Sequence, residues 1–194
     1  MVDAVPLPAP VPLPGGATLR PLELTDAAAL LDVQERNREH LRRATPMQPD
    51  SFWTLDGQRD RLETQVGRNL AGEALGCAIV RDGRILGCVT LSGIVRGPFR
   101  STSLGYWIDA AEQGKGLTSA AVAAACRLAD EHLGLHRIEA STNVDNLASQ
   151  RVLARNGFER IGAARDYLFL DGAWRDALLF QRILNDRQPA AGSA

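Results

Sequence analysis

The stretch Gln113-Gly114-Lys115-Gly116-Leu117-Thr118 constrains this chain more than any other. It follows a strand-like run, Leu104 to Ile108, and opens a long Ala-rich helix expected from Ser119 to Leu133. A strand, a glycine turn and a helix start together present bare backbone N–H groups to phosphate, and the helix end adds partial positive charge. Glycine at 114 and 116 removes the Cβ atoms that would keep a ligand away from that backbone, and Lys115 can add a cationic side chain. Two familiar fingerprints fail here. A P-loop needs G-x-x-x-x-G-K-[ST], but Asp109 holds the first glycine position and Gly116 follows Lys115. A dinucleotide loop needs G-x-G-x-x-G, but residue 119 is Ser. A two-glycine turn between strand and helix also has a purely structural reading.

A third pattern, Q/R-x-x-G-x-G/A, fits at Gln113 and Gly116, with Thr118 in place of the usual small residue. Downstream, Arg137-Ile138-Glu139-Ala140 is followed by Asn146 and Ser149 in N-x-x-S spacing, then by Val152-Leu153 and Gly157-Phe158. Upstream stands Asn37-Arg38-Glu39-His40-Leu41. Together these resemble the GNAT N-acetyltransferases of the RimJ/RimL type, which acetylate ribosomal-protein N-termini, over about residues 17 to 184. The Pro-Trp pair usual after N-R-x-H-L is replaced by Arg43-Ala44.

The bulk properties suit one soluble domain. The chain has 194 residues, 45% hydrophobic and 23% charged, with net charge −1. That balance gives no strong field for direct nucleic-acid or membrane contact. No apolar run reaches the length of a membrane span, and the N-terminus does not read as a secretory signal. Cys77, Cys88 and Cys126 show neither metal spacing nor a disulfide framework, so they read as reduced, buried small hydrophobes in a cytoplasmic protein. No metal site is expected.

Along the chain, residues 1–16 form a proline-rich flexible lead that contributes neither a helix nor a core strand. Residues 17–184 form the acetyltransferase domain, and 185–194 a flexible tail. Thr18 to Pro21 is a short first strand. Thr25 caps a helix to about Arg36, and a proline-broken helical region spans 39 to 71. Strands follow at 75–80 and 85–92, joined by the hairpin signal Asp82-Gly83, then at 103–108. The long helix places Leu117, Ala121, Ala124 and Leu128 on one face. A fifth strand at 138–142, a helix at 148–155 capped by Asn156-Gly157, and a hairpin turning at Asp171-Gly172 complete the order. The expected fold is α/β in the mixed α+β sense. It is a single GNAT-like domain, with a strongly twisted mixed sheet flanked by helices.

The resemblance implies acetyl-CoA as cosubstrate and direct attack of a primary amine on its thioester. It also implies a wedge where the fourth and fifth strands splay. There the backbone of Trp107, Ile108 and Asp109 would hold the pantetheine arm and offer an N–H to the thioester oxygen. Gln113, Gly114, Lys115, Gly116, Leu117 and Thr118 would hold the pyrophosphate. Asn143 and Asn146 would hold the arm and the cofactor's far end, or serve only as turn and cap residues. Ser149 faces the sulfur in this branch and can donate to the leaving thiolate, although a full proton transfer would need a relay. Glu139 is the candidate base, with a structural role beside Arg137 as the alternative. Asp166 and Tyr167 are weaker candidates. The basic run from Arg36 to Arg43 reads as a solvated helix face, and the three histidines as surface or helix-end residues. The acceptor implied is a protein α-amine, possible also as a polyamine, amino acid or antibiotic. A non-catalytic CoA-binding module is the reading from another class, and a homodimer stays open.

Overall fold

The computed structural model describes residues 6–42 and 45–188. Eight strands form one sheet: β1 (Val11–Pro12), β2 (Thr18–Pro21), β3 (Ala74–Arg81), β4 (Arg84–Val95), β5 (Ser101–Ile108), β6 (Arg137–Asn143), β7 (Glu159–Leu170) and β8 (Ala173–Ile183). Their spatial order is β1-β2-β3-β4-β5-β6-β8-β7. Every neighbouring pair is antiparallel except β5 and β6. The helices are α1 (Ala27–Arg36), α2 (Arg38–Arg42), α3 (Leu55–Leu70), α4 (Leu117–Arg127) and α5 (Leu147–Arg155).

Strand periodicity explains the layering. On β3, Cys77 and Ile79 point into one core with Leu117, Ala121 and Ala125 of α4 and Leu153 of α5. Ala78 points to the other, with Leu30 and Val33 of α1 and Leu62 of α3. The expected α4 face is present: Leu117, Ala121 and Ala124 are buried, and Leu128 packs against the same core. Both dipeptide hairpins form as expected, with Asp82, Gly83, Asp171 and Gly172 all at positive φ. Gly157, at φ 72, ends α5. The amide of Phe158 returns to Leu153 and that of Gly157 to Ala154, which is the glycine C-cap geometry.

Several expectations are corrected. The proline-rich lead does add structure: β1 pairs with Leu19 and Thr18, a 3-10 turn covers Pro14–Gly16, and Leu13 is buried. This extra strand makes the fourth and fifth expected strands β5 and β6. Thr25 does not cap α1; Glu23 and Asp26 cap the preceding 3-10 turn reciprocally. The long helix stops at Arg127 and widens into a π turn over Leu128–His132, where the Leu133 amide reaches Leu128. Asn185 and Arg187, assigned to a flexible tail, both bond Asp130. Residues 1–5 and 189–194, and the Arg43-Ala44 pair, lie outside the described residues. Cys77, Cys88 and Cys126 are buried free thiols; burial pushes the Cys77 thiol up to about 12 and raises those of Cys88 and Cys126.

Candidate active site

The site begins with an interruption in the sheet. β5 and β6 are in register only at Ser101–Arg137, Thr102–Ile138 and Ser103–Glu139. Beyond those rungs β5 stays paired to β4 as far as Ile108, and β6 to β8 as far as Asn143. The two strands are thus held on their outer edges and part on their inner edges. The opening lies at their C-terminal ends, where the starts of α4 and α5 also lie. The Asp109 amide donates to the Leu86 carbonyl at 2.7 Å. By antiparallel alternation Trp107 shares that direction, and the Leu104 amide is used by the last rung to β6 at Ser103–Glu139, so the amides turned into the wedge are those of Tyr106 and Ile108. Of the three backbone positions expected to hold the arm, Ile108 therefore faces it, whereas the amides of Trp107 and Asp109 are used by β4. Unpaired N–H and C=O groups in the middle of a sheet are costly unless a ligand pairs with them. An extended, amide-bearing pantetheine arm fits that edge.

The glycine loop lies at the mouth of the wedge. Gly114 and Gly116 take φ 74 and 79, and a Cβ on either would meet nothing within 4 Å. Glycine is required there by the left-handed backbone as much as by clearance. Gly116 is the N-cap of α4 and supplies no side-chain cap, so the first-turn amides, including those of Leu117 and Thr118, point outward uncapped. This is anion-binding geometry and suits a pyrophosphate. The two polar side chains of the loop are engaged elsewhere. Gln113 donates from Nε2 to His40 Nε2 at 2.9 Å, and Lys115 Nζ bonds Glu112 Oε1 at 3.2 Å. Glu112, which the motif reading passed over, also accepts from Arg81 at 2.6 Å. The Arg81 bond is the main reason its carboxyl sits below the ordinary range, with burial opposing and Lys115 assisting.

Asn146 caps α5: its Oδ1 accepts from the Ser149 amide at 3.0 Å. The capping role foreseen for it is therefore real, and it also faces the cavity described below. Asn143 ends β6 and faces the same cavity, its carbonyl accepting from the Asn146 amide. Ser149 Oγ lies 2.8 Å from the Tyr106 hydroxyl, which also donates to the Ser149 carbonyl at 3.2 Å. Burial pushes the Tyr106 phenol up to about 12, with the Ser149 bond pulling the other way. Tyr106 stays protonated at neutral pH and can donate. Sequence reasoning missed its side chain because the partner is 43 positions away; the available signal was an aromatic at the centre of a strand that ends in the glycine loop.

Glu139 is placed differently from the expectation for a base. Its carboxylate pairs with Arg137 at 2.6 Å, and Arg137 Nε in turn donates to Gln181. Glu139 sits at the closed end of the wedge and does not line the cavity. The alternative role beside Arg137 is the one seen. Tyr167 and Asp166 are exposed on β7 and also miss the cavity; the hydroxyl near Ser149 is Tyr106.

A cavity of about 740 Å³ continues from the wedge. α2 and the 3-10 turn Asp50–Trp53 form one wall, and Leu168 and Asp171 of the β7–β8 hairpin another. Arg38, Glu39, Leu41 and Arg42 line it, so the basic run is a cavity wall and not merely a solvated face. Arg38 lies 4.3 Å over the Trp53 ring, Arg61 4.1 Å over Phe52, and Arg42 reaches Asp171 at 3.6 Å. Among the described residues there is no group of three or more His, Cys, Asp or Glu able to hold a metal, and no helix long and apolar enough to cross a membrane.

Known proteins share this fold. The model of an acetyltransferase (GNAT) domain matches residues 17–159. A probable N-acetyltransferase, YjcK, of Bacillus subtilis is 37% identical over 81% of this chain and 88% of its own length. The ribosomal protein uS5-alanine N-acetyltransferase of Escherichia coli is 37% identical over 84% of this chain and 86% of its own. The solved structure of RimJ from Mycobacterium smegmatis, in complex with CoA-disulfide, superposes with a TM-score of 0.85 at 31% identity, covering 90% of this chain and 86% of that one. A family model that matches most of this chain, and relatives 37% identical over more than four-fifths of it, show that the chain belongs to the GNAT acetyltransferase family.

Proposed function

We propose that this acetyltransferase, whose acetyl donor is acetyl-CoA, modifies the N-terminal α-amine of a protein of the ribosomal type. That acceptor also places the reaction in the cytoplasm. Supporting this acceptor are the uS5-alanine specificity in the name of the Escherichia coli relative and the shape and charge of the cavity. Among the described lining residues are three guanidiniums, Arg38, Arg42 and Arg61, against two carboxylates, Glu39 and Asp171. Arg42 pairs with both acids, which leaves Arg38 and Arg61 stacked on rings and facing the incoming group. Such walls repel a polyamine or an aminoglycoside. They suit a peptide, whose single ammonium enters first and whose backbone carbonyls follow.

Bound acetyl-CoA supplies an activated acyl thioester. The residues 17–184 would then act as follows. The amides of Tyr106 and Ile108 align the arm, and one of them faces the charge that develops on the thioester oxygen. Gly114 to Thr118 hold the pyrophosphate end with backbone N–H groups, with Lys115 and Gln113 at the flank. Asn146 fixes the first turn of α5, and Tyr106 orients the Ser149 hydroxyl. Ser149 donates a proton to the leaving thiolate, Tyr106 passes its own proton to Ser149 as the relay, and the water that takes the acceptor's proton returns one to Tyr106. Glu139 at the closed end of the wedge is paired with Arg137, so the acceptor ammonium loses its proton to water, with Glu39 and Asp171 as the carboxylates among the described residues that line the cavity. Holding both substrates together removes the need for a covalent enzyme intermediate. The carrying observation is the Tyr106–Ser149 pair at the junction of wedge and cavity. A thiol-release assay with Ala- and Ser-starting peptides, polyamines, free amino acids and aminoglycosides tests the reading. Higher kcat/KM for spermidine than for every peptide would refute the peptide acceptor.

A further inference from the structure

Asn37 and His40 have no part in the chemistry above, yet both reach out of the acceptor wall to the cofactor side. Asn37 is buried at the break between α1 and α2. Its Nδ2 donates to the Val33 carbonyl at 2.8 Å, and its Oδ1 accepts from the Ala110 amide at 2.9 Å. His40 meets Gln113 at 2.9 Å. Arg36, just before the break, bonds the buried Asp109 carboxylate through Nε and Nη2 at 3.1 and 2.9 Å. The three contacts land on Asp109, Ala110 and Gln113, the segment that carries β5 into the glycine loop. The far side of α2 faces the cavity through Arg38, Glu39, Leu41 and Arg42.

A helix of five residues is too short to hold its own position. α2 is placed by what it touches, and what it touches on one side is the cofactor loop. Ordering 109–116 by a bound pyrophosphate therefore restricts α2, and through it the acceptor wall. We infer that Asn37 and His40 are positioning residues that latch the acceptor wall to the cofactor loop, so that acetyl-CoA binding pre-forms the amine site. By reciprocity, an acceptor in the cavity tightens acetyl-CoA by the same factor. The consequence for catalysis rests on the peptide-acceptor reading; the latch itself does not.

Hydrogen exchange followed by mass spectrometry, on the full chain with and without acetyl-CoA, tests the latch with no acceptor present. In the wild type, acetyl-CoA should slow exchange across 113–118 and also across 38–42, the latter about fivefold, at the lower end of usual coupling between sites. His40→Ala should keep the slowing at 113–118 and lose most of it at 38–42, and His40→Gln, which can still bond Gln113, should restore part of it. Asn37→Ser serves as the second, independent break. With an Ala-starting peptide, His40→Ala should raise the peptide KM about fivefold and leave kcat within about twofold. The latch is overturned if 38–42 ignores acetyl-CoA in the wild type, or responds fully in both His40→Ala and Asn37→Ser. If no peptide is turned over while the exchange pattern holds, the acceptor reading fails and the latch stands.

Discussion

Ser149→Ala should slow turnover by roughly a hundred- to a thousandfold, the range for removing one donor aimed at developing charge, while hardly touching stability or acetyl-CoA affinity. The geometry separates these effects. Deleting Oγ takes away the shorter Tyr106 contact, 2.8 Å, but leaves the Ser149 carbonyl at 3.2 Å to accept the phenol proton. Tyr106 is thus not orphaned, and the capping bond from the Ser149 amide to Asn146 is a backbone bond that alanine keeps. The loss should appear in kcat because the hydroxyl acts on charge that forms only as the C–S bond breaks. Tyr106→Phe removes one net hydrogen bond, about 0.5–1.5 kcal/mol, or two- to twelvefold if the phenol only orients Ser149. Thiol release with the best peptide, and titration with CoA, give kcat and affinity for both variants and for the double variant. If the hydroxyls act as one unit, the double variant should be no slower than Ser149→Ala alone. Wild-type kcat in Ser149→Ala, or losses that simply multiply, would refute the relay.

Acetyl-CoA at a hundred times its Kd should stabilise the fold by about 2.7 kcal/mol, a rise in Tm of roughly 5–10 °C by thermal shift; a larger shift with NAD would overturn the loop assignment. Gly116→Ala meets no clash but forces a Cβ into φ 79, so it should fold, lose about 1–2 kcal/mol and bind CoA at least tenfold more weakly by titration; unchanged affinity would remove the loop from the phosphate site. Gly87→Ala would put a Cβ 2.3 Å from the Trp107 carbonyl oxygen; pushing β5 off β4 should lower Tm by more than Gly116→Ala does, which calorimetry can compare. Glu112 has its carboxyl held low chiefly by Arg81. A depressed acid stabilises above its unfolded value and loses that contribution as pH falls through its folded value, so the Tm gap between wild type and Glu112→Gln should be widest near pH 7 and close as pH drops below the ordinary 4.5.

What was legible in the sequence was what short-range chemistry encodes. The Asp82-Gly83 and Asp171-Gly172 turns, the α4 face and the glycine loop each depend on residues within a few positions. What was not legible depends on distant pairing. Tyr106 finds Ser149 across 43 positions, and Asn37 finds Ala110 across 73, so no local pattern distinguishes them from an ordinary strand aromatic and a helix-end amide. Glu139 misled for the same reason. Its strand was identified, but its distance along that strand from the open end of the wedge is set by the β5–β6 register, which periodicity does not report. The edge strand Val11–Pro12 was hidden because proline is compatible with a sheet edge as well as with an extended lead.

The wedge and the hydroxyl pair together decide between an enzyme and a mere CoA-binding module. The wedge alone would satisfy either, because three parallel rungs followed by free strand edges accept an amide-bearing arm whether or not chemistry follows. The Tyr106–Ser149 pair has no such double use. A half-buried phenol held well above its usual range lies under α5, where an apolar side chain would pack without the desolvation penalty of a polar group. Asn146 already caps that helix, so neither hydroxyl is needed to start it. Both hydroxyls stand where the wedge opens into the cavity, the place where the proposed mechanism has the thiolate leave and the amine arrive. On the proposed mechanism, transfer chemistry uses both hydroxyls, whereas holding the arm in the wedge requires neither.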